Sequence, residues 1–222
     1  MFNSVLLYTN QLKELRRFYM NILELNITDE TEEAFSIDIG TSKLTFKQSD
    51  KPCFYHYAIN ISGNQFSMLK HRIKERIPLN RERGIDEVYF SSFDADSMYF
   101  EDPAGNIIEL IGRRKRDLFG NPTFAESFFN ISEVGIVSSH LDDLSEEFQD
   151  IGLPLRGTEI SYDSVNFFGR EESFIVLVPP ERKWYFSEQM SEVFPLEIEL
   201  TNGYHITINE EGLANITKTE DD

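Results

Sequence analysis

A repeated pattern constrains this chain more than any other feature. Three times an extended stretch leads into a helix with a one-sided apolar stripe and then into further strand-like runs. In "SVLLYTNQLKELRRFYMNILEL", Leu12, Leu15, Tyr19, Ile22 and Leu23 recur at helical spacing. In "EVGIVSSHLDDLSEEFQDIGLPL", Leu141, Leu144, Phe148 and Ile151 repeat it, so that Leu12 superposes on Leu141, Leu15 on Leu144 and Tyr19 on Phe148. A weaker copy, "HYAINISGNQFSMLKHRIKERIPL", carries Phe66, Leu69 and Ile73. The alternating runs that follow each helix predict strands, and self-similarity at this scale predicts repeated modules of one supersecondary type. The fold class read from this is α+β, built of tandem βαβββ modules.

Aligning the copies at their first strands puts Ser4, His56 and Glu133 in equivalent places. The last segment, "PLEIELTNGYHITINEEG", reads as a hairpin turning at Asn202-Gly203 and is too short for a fourth full module. The stretch 114–127, with Gly120, Asn121 and Pro122, reads as a linker. The basic run Arg113-Arg114-Lys115-Arg116 reads as the solvated opening of that linker.

Charge and composition limit the partners. With 21 basic and 39 acidic residues the formal charge is −18, which opposes nucleic acid and anionic membranes. No apolar run reaches the roughly 18 residues of a membrane span. The single cysteine, Cys53, can form no internal disulfide, which suits a reducing cytoplasm, and the acidic end, Thr219 to Asp222, reads as frayed.

One carboxylate stands where none is expected. In "YFEDPAGNIIELIG", Ile107, Glu109 and Ile111 share one strand face. A carboxylate between two isoleucines on an interior face needs a cation, a metal or a proton. Elsewhere, His71 lies among charges on a helix, His140 sits at a helix start, His205 follows the hairpin turn, and Asp94 and Asp96 flank Ala95 in a turn-like stretch. None of these makes a chelate by spacing alone.

The repeat and three local motifs resemble the vicinal oxygen chelate superfamily, which includes lactoylglutathione lyases, extradiol dioxygenases, fosfomycin-resistance thiol transferases and bleomycin-binding proteins. "LKELRRFYMNILEL" is similar to that family's first helix, "FYHYAINI" to the strand opening its second module, and "DSMYFEDPAGNIIEL" to its closing hairpin. The nearest likeness in motif, over residues 1–113, is to the fosfomycin-resistance thiol transferases. The resemblance implies tandem βαβββ modules forming open, cupped mixed sheets with helices packed outside: a complete two-module domain over 1–113, a linker at 114–127, and a third module with the terminal hairpin over 128–222. It implies metal ligation by His56 and Glu109, with Ser4 at a possible third position; Thr45 matches the place of Glu109 in module one. Tyr8, Tyr57 and Tyr99 are expected in a substrate pocket, and Glu133 is expected at an exposed strand edge. The function implied is divalent-metal chemistry (Zn, Mn, Fe or Ni) on a small oxygen-rich substrate by Lewis-acid chelation. The alternative is metal-free sequestration of a small molecule, as in bleomycin resistance. A homodimer is a further expectation, because modules of this family pair within or between chains.

Overall fold

Fourteen strands and three helices form in the computed structural model, which describes residues 1–120 and 122–219. Asn121 and the terminal residues 220–222, to which the linker and fraying expectations partly refer, lie outside the described residues. The first module is β1 (Phe2–Thr9), α1 (Leu12–Asn21), β2 (Ile27–Glu30), β3 (Ala34–Ile39) and β4 (Ser42–Gln48). The second is β5 (His56–Ser62), α2 (Phe66–Lys74), β6 (Val88–Phe90), β7 (Ala95–Glu101) and β8 (Ile107–Arg113). The third is β9 (Phe128–Val137), α3 (Leu141–Asp150), β10 (Asn166–Arg170) and β11 (Ser173–Val178). After its helix an isolated bridge between Leu155 and Phe168 stands where the other modules have a strand. The chain closes with β12 (Leu196–Leu200), β13 (Tyr204–Ile208) and β14 (Ala214–Lys218).

The modules pair differently from the expectation. One seven-stranded sheet runs β14-β13-β12-β1-β4-β3-β2 and the other runs β10-β11-β9-β5-β8-β7-β6. Module two therefore shares its sheet with module three, and module one with the terminal strands. The region 1–113 does not make one two-module sheet, and the terminal strands do not complete module three. Sequence order suggested pairing of neighbours, whereas β5 finds its antiparallel partner in β9, across the 114–127 segment.

Alternation along the strands separates a core face from a cup face. Tyr57, Ile59 and Ile61 of β5 join one apolar core with Val5 and Leu7 of β1, Leu44 and Phe46 of β4, and Leu15 and Tyr19 of α1. All three helices lie on this core side: Tyr19 meets Phe46, Phe148 of α3 meets Phe168 of β10, and Phe66 of α2 abuts Gly112 of β8. Sheet faces and helix stripes thus bury their apolar sides against one another. The opposite face of the second sheet carries His56, Ala58, Glu109, Ile111 and Glu133.

The turn Asp102-Pro103-Ala104-Gly105-Asn106 fixes how β5 and β8 meet. Asp102 Oδ1 accepts from the amides of Ala104 and Asn106, both at 3.0 Å, and Gly105 takes φ +84°, a conformation that favours glycine. Asn106 Oδ1 then accepts from the Tyr55 amide at 2.8 Å, and the Ile107 amide donates to Tyr55 O at 2.8 Å. One short loop therefore sets the strand that carries His56 beside the strand that carries Glu109.

Candidate metal centre and its cavity

Strand register brings three donors together. Across the sheet, Ala58 pairs with Glu109 on one side and with Glu133 on the other. The two carboxylates flank a methyl group on one row, with His56 two residues back on the same face. One ligand atom from each of His56, Glu109 and Glu133 lies within 4.8 Å of the others. His56 Nε2 stands 3.8 Å from Glu109 Oε2. His56 Nδ1 lies 3.2 Å from the carbonyl of Ile107, so a proton on Nδ1 donates there and Nε2 keeps its lone pair for the cup.

Burial dominates the electrostatics. His56, Glu109 and Glu133 are 7%, 4% and 6% exposed. Burial pushes the Glu109 carboxyl up to about 7, against smaller opposing effects of the Ser97 and Tyr99 hydroxyls and Arg113. Burial, and then the charge of Glu109, hold the Glu133 carboxyl well above the usual carboxylate range. Burial lowers the His56 imidazole to about 4, with Arg182 adding to the effect. A neutral imidazole beside two carboxyls that resist ionisation is a donor set that a divalent cation would relieve.

A cavity of about 270 Å³ opens over these groups. Its walls include Phe90, Phe93, Phe167, Tyr99, Tyr185 and Trp184, and Arg113 and Arg182 also face it. The Trp184 ring lies over His56, with centroids 5.0 Å apart. This approach needs Gly135 of β9, because a Cβ there would come within 2.9 Å of the indole.

The positions expected from sequence divide between the two sheets. His56, Glu109 and Tyr99 reach the cavity, as does Glu133, which occupies a central strand rather than an exposed edge. Ser4 is in the other sheet, where its Oγ donates to Glu199 Oε2 at 3.0 Å. Tyr8 is there too, donating to Glu197 Oε1 at 3.0 Å. Tyr57 points into the core, where its hydroxyl is hydrogen-bonded to that of Tyr19. Arg113, expected in a solvated linker, ends β8 and is 5% exposed. Asp96 falls within β7 rather than in a loop and pairs with Arg114. His71, His140 and His205 lie apart from the cavity beside Glu75, Asp143 and Glu197.

Register explains why Ser4 is not a third donor. Leu6 of β1 pairs with Thr45 and with Glu197, as Ala58 pairs with Glu109 and with Glu133. Ser4, Thr45 and Glu197 of the first sheet are thus the counterparts of His56, Glu109 and Glu133. Only Glu197 could ligate, and it is held by Tyr8 and His205. Within the second sheet, His56 pairs with Ile107 and Glu133 with Phe174, so Val176 fills the counterpart of Glu109's place in module three. Three donors result rather than four. Glu133's equivalence to His56 was the sequence signal for its role, and only the strand pairing shows that it shares the cup.

Comparison with known proteins supports the architecture. A family described as TxDE, toxoflavin-degrading enzyme, matches residues 131–182, a stretch well under half of the chain that includes Glu133. No curated protein matches. Among solved structures, a "putative dioxygenase" from Bacillus subtilis subsp. subtilis str. 168 is 16% identical with a TM-score of 0.56, covering 79% of this chain and 62% of its own. This chain therefore spans less than two thirds of that protein. A lactoylglutathione lyase from Agrobacterium tumefaciens is 17% identical with a TM-score of 0.43, covering 50% of this chain and 92% of its own. A fosfomycin resistance protein, FosX, from Listeria monocytogenes, solved with Mn(II) and a dihydroxypropylphosphonic acid, is 16% identical with a TM-score of 0.40, covering 51% of this chain and 89% of its own. No helix among the described residues is long and apolar enough to cross a membrane. Repeated βαβββ modules curled into two mixed sheets are thus the fold of this chain, shared with the Bacillus subtilis structure over 79% of the present chain.

Proposed function

We propose that the protein is a divalent-metal-dependent enzyme that acts on a small, oxygen-rich substrate, with His56, Glu109 and Glu133 as the metal ligands. The observation that carries this reading is the convergence of one imidazole and two carboxyls, all buried, in an otherwise apolar cavity. Nitrogen and oxygen donors of this kind suit Zn, Mn, Fe or Ni. Three protein donors leave coordination positions open, as catalytic sites do. A divalent ion held by these three residues would supply Lewis acidity to an oxygen-rich substrate.

The chain's own groups define the rest. The Ile107 carbonyl holds the His56 ring with Nε2 turned inward. Trp184 closes one side and excludes water from the donors, which strengthens every electrostatic interaction inside the cavity. The Tyr99 hydroxyl sits beside Glu109 in a buried position, where it can hydrogen-bond a substrate oxygen. The toxoflavin-degrading family match, which includes Glu133, supports an enzyme over a sequestering protein.

Metal analysis tests the proposal directly. Untagged protein reconstituted with Mn, Zn, Fe or Ni is expected to retain about one ion per chain after desalting, by analogy with other three-donor sites. Glu133→Gln and His56→Ala are expected to lose it while remaining folded by circular dichroism. Wild-type protein that retains none of the four metals would refute the reading and leave metal-free binding of a small molecule.

A further inference from the structure

Two guanidiniums face the cavity without a carboxylate partner, although the chain has a large surplus of acid. Arg113 Nε donates to Asn60 Oδ1 at 2.9 Å, and its Nη2 donates to Ser132 Oγ at 3.1 Å and to the Glu172 carbonyl at 3.4 Å. Arg182 Nη1 donates to the Lys183 carbonyl at 3.1 Å. Neither forms an ion pair within 4.0 Å among the described residues. Their neighbours in sequence behave otherwise. Arg114 meets Asp96 at 3.3 Å, Arg116 meets Glu172 at 2.6 Å, and Lys183 meets Glu188 at 2.8 Å. Of the neighbouring cations, Arg114, Arg116 and Lys183 are paired and Lys115 is left to solvent, whereas Arg113 and Arg182 face the cavity, away from open water, with no ion pair among the described residues. With 39 acidic residues against 21 basic ones, a shortage of partners is not the reason.

Charge balance in the loaded site gives this arrangement a direction. Two ligating carboxylates cancel a divalent ion, so Glu109 and Glu133 leave no negative charge over for Arg113 and Arg182. Two positive charges then face a cavity whose other walls are apolar. A buried cation without a counter-charge is costly, and an anion entering that space would relieve the cost. The shape of the ligand follows from the walls: Phe90, Phe93, Phe167, Trp184 and Tyr185 offer ring faces and edges. At about 270 Å³ the space lies at the small end of ligand pockets, which suits one or two fused rings.

We propose that this cavity selects a small aromatic or heteroaromatic anion, its ring held among the aromatic walls and its negative group received by Arg113 and Arg182. The proposal rests on the metal reading above and adds the substrate class to it. Arg113 is set rigidly by Asn60 and Ser132 and acts as a fixed anion receptor, while Arg182, half-buried beside His56, completes the field from the opposite module.

Two probes that differ by a single carboxylate, catechol and protocatechuate, separate the charge from the ring. Trp184 is the only tryptophan, so its fluorescence reports binding at the cavity. On Mn-loaded wild-type protein at neutral pH, protocatechuate is expected to bind about tenfold or more tightly than catechol, the scale of a charge-assisted hydrogen bond. Arg182→Gln and Arg113→Gln should each bring the two affinities closer while catechol affinity and Mn content stay as in wild type. Arg113→Gln also loses the bonds to Asn60 and Ser132. If it fails to fold, Arg182→Gln, whose guanidinium bonds among the described residues to the Lys183 carbonyl alone, decides the matter. Equal affinities in the wild-type protein, or a preference undiminished in the folded variants, would overturn the proposal. Mn content measured on the same samples keeps the two readings apart. Protein that holds no Mn refutes the metal site, and the two-probe comparison on that metal-free protein still decides the role of the arginines.

Discussion

A divalent ion entering the proposed site would have to displace protons, so the strongest prediction concerns pH. In the metal-free protein burial raises the Glu109 carboxyl to about 7, burial and the charge of Glu109 hold the Glu133 carboxyl well above the usual carboxylate range, and His56, lowered by burial to about 4, is neutral throughout the neutral range. Between pH 6 and 7 a divalent ion therefore expels protons from both raised carboxyls, at most two, and its apparent affinity should rise by up to about a hundredfold, or about 2.7 kcal/mol. Above pH 7, with Glu109 largely ionised, fewer protons remain to be displaced and the rise should become shallower. Because the unfolded chain lacks the preformed site, saturating Mn stabilises the folded state in step with that affinity. At about 2–4 °C per kcal/mol for a chain of this size, the Mn-induced rise in Tm should be about 5–10 °C larger at pH 7 than at pH 6.

Taking the difference with and without metal removes competing effects. The raised carboxyls stabilise the metal-free protein fully below the unfolded carboxylate range, and this contribution is lost as pH rises through about 7. The depressed His56 contributes above its ordinary value of 6.5, and that stability is lost as pH falls through about 4. The two oppose one another between these limits, but the unfolded-state titrations are common to both samples and cancel. The assay is thermal unfolding in non-coordinating buffer from pH 6 to 8, with and without excess Mn. A Tm increment that stays flat or shrinks with rising pH would refute the assignment of two protonated carboxyls to the metal site.

Three further substitutions probe particular contacts. Ser4→Ala should leave metal content unchanged and cost less than about 1 kcal/mol in denaturant unfolding, because it removes only a half-exposed bond to Glu199; loss of metal would contradict the module pairing. Gly135→Ala should push Trp184 off His56, shifting its emission to the red and costing about 1–3 kcal/mol through overpacking; unchanged emission would count against that contact. Tyr57→Phe should lower stability by about 1–2 kcal/mol through the lost hydroxyl bond in the core and leave metal uptake intact. Loss of metal in that variant would show that the core face and the cup are coupled.

The sequence by itself determined the modules and half of the site. Helical spacing of Leu12, Leu15 and Tyr19, repeated at Leu141, Leu144 and Phe148, was enough to find βαβββ units, because burying one face of a helix imposes a period that survives in the residues. Glu109 stood out for the same reason: a carboxylate in a row of isoleucines violates the alternation a strand requires. His56 and Glu109 were legible together because they belong to one module and one short turn, at Asp102 to Asn106, sets their relation.

Which module faces which was decided by tertiary structure alone. Pairing between β5 and β9 is a long-range contact made by backbone hydrogen bonds, which are nearly blind to side-chain identity and leave little trace in a single sequence. That pairing moved Ser4 and Tyr8 to the other sheet, carried Glu133 from a supposed edge to the centre of the cup, and turned Arg113 from linker to cavity wall. Local periodicity fixes which face of a strand is buried; only the register between distant strands fixes what that face is buried against.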